Sequence, residues 1–228
     1  MKTELFAWLR LEKEDLDKRI RNYPRFRLVL LFASFVAFFV SIFWLWGKTN
    51  SPEIIFLDRL LVSWAQEART PFLADLFGWV TVLGSSYFVF SAFLILGTIL
   101  YLTRRKRALM VAIVCLVASG FFVLLLKDFF NRPRPLENCL RNDCLAFPSG
   151  HTTLATYFYG LIGYLSFRFL PIPLTKFLHL ITILGLIVFL VAFSRIFLQA
   201  HFLSDVMAGL FLGGVWLTLT VLLIDVLY

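Results

Sequence analysis

The sequence predicts an all-α fold, a polytopic membrane helical bundle, from three observations. Hydrophobic residues make up 60% of the 228-residue chain, 27 of them phenylalanine, and the mean hydropathy is +0.84. Apolar stretches close to the ~20 residues that cross a hydrocarbon core recur along its length. Most of those stretches lack the polar face that a soluble core helix shows about every 3.6 residues. Six transmembrane helices, with an interfacial helix between the first two, account for the pattern.

The elements follow in order. Residues 1–27 are mixed in charge and basic on balance, a cytoplasmic N-terminal segment. They are too long and too acidic for a signal-peptide n-region, and no small-residue cleavage site follows the apolar run. The first span is Leu28 to Trp46, with Trp44 and Trp46 at the far interface. Between residues 47 and 75, Ile54, Leu57, Leu60, Leu61 and Trp64 fall at helical spacing, with Asp58, Arg59 and Gln66 off that stripe. This pattern suits an amphipathic helix lying on the outer surface.

A second span covers Leu76 to Leu102, long enough to tilt, and stops at Arg104-Arg105-Lys106-Arg107. Ala108 to Leu126 returns outward, Thr152 to Leu170 descends, Phe177 to Phe193 rises, and Val206 to Leu227 completes the sixth span. The chain thus divides into residues 1–27, residues 28–75 (first span and interfacial helix) and a membrane core at 76–228. No internal repeat is present.

Charge orients the bundle. Of 22 Lys and Arg, eight lie in residues 1–27, four in the 104–107 run, and two are Arg168 and Lys176. These flank the side expected to be cytoplasmic. The other eight are Lys48, Arg59, Arg69, Lys127, Arg132, Arg134, Arg141 and Arg195. Both termini are then cytoplasmic, in what is expected to be a bacterial inner membrane. The net charge of +8 does not indicate nucleic-acid binding, because no aromatic residues interleave with the basic runs as a base-stacking platform requires.

Three polar segments interrupt the apolar pattern, each where a span meets water on the outer side: KDFFNRPRP from Lys127 to Pro135, PSGH from Pro148 to His151, and SRIFLQAHFLSD from Ser194 to Asp205. His201 and Asp205 are four apart and share a helix face. A carboxylate beside one imidazole nitrogen fixes the tautomer and frees the other as nucleophile or base. The plainer alternative is a pair at a helix start, with Asp205 answering the positive end of the sixth span. Arg195 is either a snorkelling anchor or a planar guanidinium for a phosphate.

Ser149 is either a helix cap or, with Gly150 and nearby N–H groups, part of an anion site. Lys127 and Arg134 bracket a turn stiffened by Pro133 and Pro135, and Arg132 reads as electrostatic background. Together, cations near two histidines suit a phosphate group that is held, attacked and released.

Jointly these residues match the three signatures of the type 2 phosphatidic acid phosphatase family, which the chain resembles over residues 76–227. The matches are Lys127, Arg134 and Pro135 to K-x6-R-P; Pro148, Ser149, Gly150 and His151 to P-S-G-H; and Ser194, Arg195, His201 and Asp205 to S-R-x5-H-x3-D. The resemblance implies that His201 attacks phosphorus to form a phosphohistidine and that Asp205 orients its ring. His151 would protonate the leaving oxygen, and Lys127, Arg134, Ser149, Gly150 and Arg195 would hold the nonbridging oxygens. Pro135, Pro148 and Ser194 would give structural support.

Loose phosphoryl transfer needs mainly positioning and positive charge, so no metal and no cofactor is expected. The implied substrate is a lipid phosphate or diphosphate with its tail in the bilayer. Candidates are undecaprenyl diphosphate, to which the family resemblance gives a modest preference, a phospholipid phosphomonoester, and lipid A. Rival readings are a soluble vanadium haloperoxidase, which the spans oppose, and a transporter or scaffold retaining the phosphate site.

The remaining marks are structural. Cys139 and Cys144 lie in the loop expected on the oxidising side and could form a disulfide, which spacing alone does not establish. Cys115 suits a small membrane-helix packer, His179 an interfacial residue, and Gly209, Gly213 and Gly214 close helix packing. The sequence sets no oligomeric state.

Overall fold

The structure, a computed structural model, describes residues 51–135 and 145–227, together with Val36, Val40, Trp46, Gly47 and Thr49, all five helical. The N-terminal segment, most of the first span, and Cys139 and Cys144 lie outside the described residues. Seven helices follow: α1 Pro52–Glu67, α2 Pro71–Val82, α3 Ser86–Leu102, α4 Lys106–Phe130, α5 Gly150–Phe169, α6 Leu174–Phe197 and α7 Leu203–Leu227.

Local chemistry fixes several starts. The side chains of Ser51, Thr70 and Ser85 accept the N–H groups of Ile54, Leu73 and Phe88, each answering an otherwise orphaned donor. Pro52 and Pro71 sit at the helix starts, where a missing N–H costs nothing. Asn131 ends α4 with φ 45°, a left-handed conformation that Asn tolerates better than most residues.

Among the described residues, four helical stretches are long and apolar enough to cross a membrane: Pro71–Leu102, Lys106–Phe130, Leu174–Phe197 and Leu203–Leu227. The first differs from the single span expected from Leu76 to Leu102. It begins earlier, places residues 75 and 76 inside one helix, and breaks at residues 83–85 between α2 and α3. Tyr159 Oη donates to the Leu83 carbonyl across the break at 3.0 Å. Gly84 leaves room there: a Cβ would lie 2.5 Å from Val191 Cγ1 and 3.0 Å from the His151 carbonyl oxygen.

Helix α5 is the central element, packed against α3, α4, α6 and α7. Its closest approach is to α7, where a Cβ on Gly209 would lie 2.7 Å from the Ser149 carbonyl and one on Gly213 2.5 Å from that of Thr153. Gly214 faces open space, so the packing reading holds for two of the three. Around this core the outer faces carry exposed Leu94, Ile95, Val114, Phe121, Ile183 and Phe189, an apolar surface too continuous for water. Helix α1 lies against α6 and α7.

Candidate active site

The three motifs meet at one end of the bundle. Lys127 sits in the last turn of α4, after which Asn131 reverses the chain. The returning segment pairs with the approach to α5: the Ala146 N–H donates to the Arg132 carbonyl at 2.7 Å, and Pro133 bridges Leu145 in antiparallel fashion. Lys127 Nζ donates to the Leu145 carbonyl at 2.5 Å, tying the first motif to the second.

Ser149 occupies the N-cap position of α5, yet its hydroxyl makes no cap bond. It pairs instead with Thr152 Oγ1 at 2.9 Å, and its N–H donates to the Asp205 carbonyl at 3.0 Å. The simple cap reading therefore fails for the side chain, and a backbone bond joins the second motif to the third.

Arg195 lies in the last turn of α6, 8% exposed, with Nη1 donating to Thr81 Oγ1 at 2.8 Å. The break after α2 thus delivers a hydroxyl to this guanidinium. Beyond α6, Gln199 turns the chain with φ 53°, and the N–H groups of Ala200 and His201 both donate to the Arg195 carbonyl. Asp205, third residue of α7, accepts the Phe202 N–H at 2.9 Å, the carboxylate half of a capping box. Ser194 Oγ donates to the Val191 carbonyl at 2.6 Å and so turns inward on its own helix. Pro148 is buried and Pro135 half-buried.

Lys127, Arg134, Gly150, His151 and His201 line a common cavity of about 500 Å³. Arg195, Arg134 and Lys127 all lie within electrostatic reach of His151. Among the described residues, Nε of Arg134, Nε of Arg195 and Nδ1 of His201 are buried without a hydrogen-bond partner. Buried guanidinium donors left unmatched are costly, and an anion in the cavity would answer them.

His201 lies in the connection between α6 and α7 and is 2% exposed. Its Nδ1 is 3.7 Å from Asp205 Oδ2, beyond hydrogen-bond length, so the carboxylate acts on the ring through charge. Burial pushes the imidazole down to about 4; Asp205 opposes this, and Arg195 and Lys127 reinforce it. Burial and these two cations favour the neutral ring, with Nε2 as the nitrogen turned away from the carboxylate.

Two residues lie outside the sequence reading of the site. Arg132, read as background, donates from Nη1 to Asp205 Oδ1 at 2.5 Å and from Nη2 to Asp58 Oδ2 at 2.9 Å. Asp58, on the polar side of α1, is 2% exposed. The partners are separated by more than seventy residues, a pairing that periodicity cannot reveal. Only the extra arginine inside the first motif and the carboxylate at the middle of α1 hinted at it.

The geometry agrees with what the chain is similar to. The PAP2 superfamily model matches residues 108–227, more than half of the sequence and all three motifs but the helices before them. The chain belongs to the PAP2 superfamily. It is a membrane-bound lipid phosphatase, a hydrolase of that family.

Phosphatidylglycerophosphatase B of Bacillus subtilis (strain 168) is 29% identical over 158 residues, 68% of this chain and 77% of that protein. A crystal structure of a transmembrane PAP2-type phosphatidylglycerolphosphate phosphatase from Bacillus subtilis superposes with TM-score 0.74 at 26% identity, covering 81% of this chain and 92% of that one. LpxE of Aquifex aeolicus superposes at TM-score 0.54 with 27% identity, covering 78% and 98%.

Proposed function

We propose that the protein hydrolyses the phosphomonoester of a glycerophospholipid, of the phosphatidylglycerophosphate type, through a phosphohistidine on His201. The observation that carries the lipid part is continuity. The cavity holding the histidines shares Ser86, Phe90 and Val117 with an apolar groove of about 740 Å³ between α3 and α4, which runs on past Leu94 and Gly97 to Tyr101. A phosphate among the cations would thus lead directly into a furrow fit for an acyl chain. The substrate named for the Bacillus relatives favours a glycerophospholipid over undecaprenyl diphosphate, and LpxE is the reason to test lipid A as well.

In this reading, Nε2 of His201 attacks phosphorus as the bond to the lipid oxygen breaks, and His151 gives that oxygen a proton. His151 then takes a proton from water, which attacks the phosphohistidine and returns free phosphate and neutral His201. Asp205 stabilises the imidazolium form of His201 between the two steps. Lys127, Arg134 and Arg195, with N–H groups at the start of α5, hold the nonbridging oxygens and offset the charge that spreads over them. The basic flanks support an orientation with both termini in the cytoplasm and the site on the outer face. In the same scheme six helices span, and α1 rests at the interface with Phe56, Leu57 and Leu60 outward.

Phosphate release from the purified protein on a panel of phosphatidylglycerophosphate, phosphatidate, undecaprenyl diphosphate and lipid A tests the reading. The glycerophospholipid monoesters should turn over fastest, with activity intact in EDTA and inhibited by vanadate. Preference for the diphosphate or lipid A would overturn the substrate, and loss in EDTA restored by magnesium would overturn the mechanism.

A further inference from the structure

We infer that Asp58, on the helix before the family-matched region, is a positioning residue for the His201–Asp205 pair and acts through Arg132. The inference rests on the reading of His201 as nucleophile and Asp205 as its partner. It adds a residue and an element to the machinery that no family motif includes, since the superfamily match begins at residue 108.

The face that α1 turns to the bundle overlaps its apolar stripe only in part. Leu57, Leu60 and Trp64 are at least 40% exposed, whereas Asp58 and Ala65 are buried, with Leu61 packed beside Ile196 and Val206. The Asp58 carboxylate enters a site made for it. Oδ1 accepts the Ser204 N–H at 3.0 Å, and Oδ2 accepts the Ser204 hydroxyl at 2.6 Å and Arg132 Nη2 at 2.9 Å. The Ser204 N–H belongs to the first turn of α7 and has no acceptor within its own helix. Asp58 therefore caps α7 from another part of the chain.

Arg132 transmits this to the catalytic pair. Its Nη1 donates to Asp205 Oδ1 at 2.5 Å and to Ser204 Oγ at 2.7 Å, and its guanidinium lies 4.4 Å from the centre of the Phe202 ring. With Oδ1 held by Arg132 and Oδ2 anchored by the Phe202 N–H, the carboxylate cannot rotate, and Oδ2 stays turned toward the imidazole. A planar guanidinium can bridge two carboxylates in this way; an ammonium cannot reproduce the fork. A second tie secures the same loop, as Gln199 Nε2 donates to the Val62 carbonyl of α1 at 3.0 Å. Neither Asp58 nor Arg132 lines the substrate cavity, so both serve orientation rather than binding.

Displacing a reacting group by about 1 Å through a remote change can lower a rate about 100-fold. Asp58→Asn, which keeps the shape and removes the charge, should lower kcat roughly tenfold to a hundredfold with KM little changed. Arg132→Lys should do the same, and it reads the same link if the first variant does not accumulate in folded form. Arg59→Gln, on the exposed side of α1, should behave as the parent. The decisive measurement is a double-mutant cycle with p-nitrophenyl phosphate, whose leaving group needs little protonation.

In an Asp205→Asn background the Asp58→Asn effect should largely vanish, because groups acting in series are not additive. An undiminished fall in that background, or an increase in KM alone, would reduce Asp58 to a general support of the fold. Parental kcat in both Asp58→Asn and Arg132→Lys, with His201→Ala dead, would overturn the inference by itself. Activity persisting in His201→Ala would instead overturn the reaction on which it rests.

Discussion

His151 and His201 face one cavity from walls built on different plans. His151 stands at the start of α5, half-buried, beside the groove that leads away between α3 and α4. His201 is 2% exposed, on a short connection fastened to α6 through the Arg195 carbonyl and to α1 through Gln199 and the Asp58–Ser204 bonds. The roles proposed for the two histidines would explain the contrast. A nucleophile must meet phosphorus along one line, and fixing it in advance removes entropy from the barrier. An acid that serves first a leaving lipid and then a water needs access to both.

Deleting each histidine probes the contrast most strongly. His201→Ala should abolish turnover and leave no acid-labile, alkali-stable phosphoenzyme after rapid quench. His151→Ala should slow lipid turnover by about 10²–10⁴-fold, the usual contribution of general acid–base catalysis. With p-nitrophenyl phosphate it should still load His201 and leave the adduct trapped. Label recovered on His151 would exchange the two roles.

A gentler probe is protonation. The chain has three histidines, so ¹³C-histidine labelling gives three resonances, and the one lost in His201→Ala identifies the ring of interest. A buried ring pushed down to about 4 stays neutral throughout the neutral range. Between its ordinary 6.5 and that value the unfolded chain binds the extra proton. The contribution of His201 to stability is therefore full above 6.5 and lost as pH falls toward 4. Its resonance should move below pH 5; titration near 6.5 would mean that the loop is open to water.

The smallest effect on catalysis should come from Gly213→Ala, a turn below the site. The new methyl would meet the Thr153 carbonyl and Thr156 Cβ, the latter at 2.7 Å. Overpacking of this kind costs about 1–3 kcal/mol, read as a lower unfolding midpoint, with the kcat of the folded enzyme retained. A larger loss of kcat than of stability would show that the α5–α7 contact carries strain to the site.

Much of this arrangement was legible because it is local in sequence. The PSGH turn before α5 follows from a short motif, and helices α4 to α7 from the length of their apolar runs. His201 and Asp205 meet without sharing a helix, because His201 precedes α7. Two features escaped. The break at residues 83–85 sits inside an unbroken apolar run, where hydropathy registers no interruption even though Gly84-Ser85-Ser86 is a turn composition. Asp58 and Arg132 escaped for a different reason. A carboxylate on the polar side of an amphipathic helix looks solvated, and the burial of Asp58 arises only when residues 58, 132 and 204 meet in space.

The groove between α3 and α4 has a kinetic consequence. Its rim carries the exposed side chains of Leu94, Tyr101 and Ile113, so the opening lies along the flank of the bundle rather than at its aqueous end. A lipid sliding in sideways is encountered by diffusion in two dimensions, and the quantity that sets its rate of capture is its mole fraction in the surrounding leaflet. Inert lipid or detergent then slows the reaction by surface dilution at constant bulk concentration. In the proposed reaction the products would separate by phase: the phosphate would leave for water, while the dephosphorylated lipid would retreat along the furrow into the bilayer.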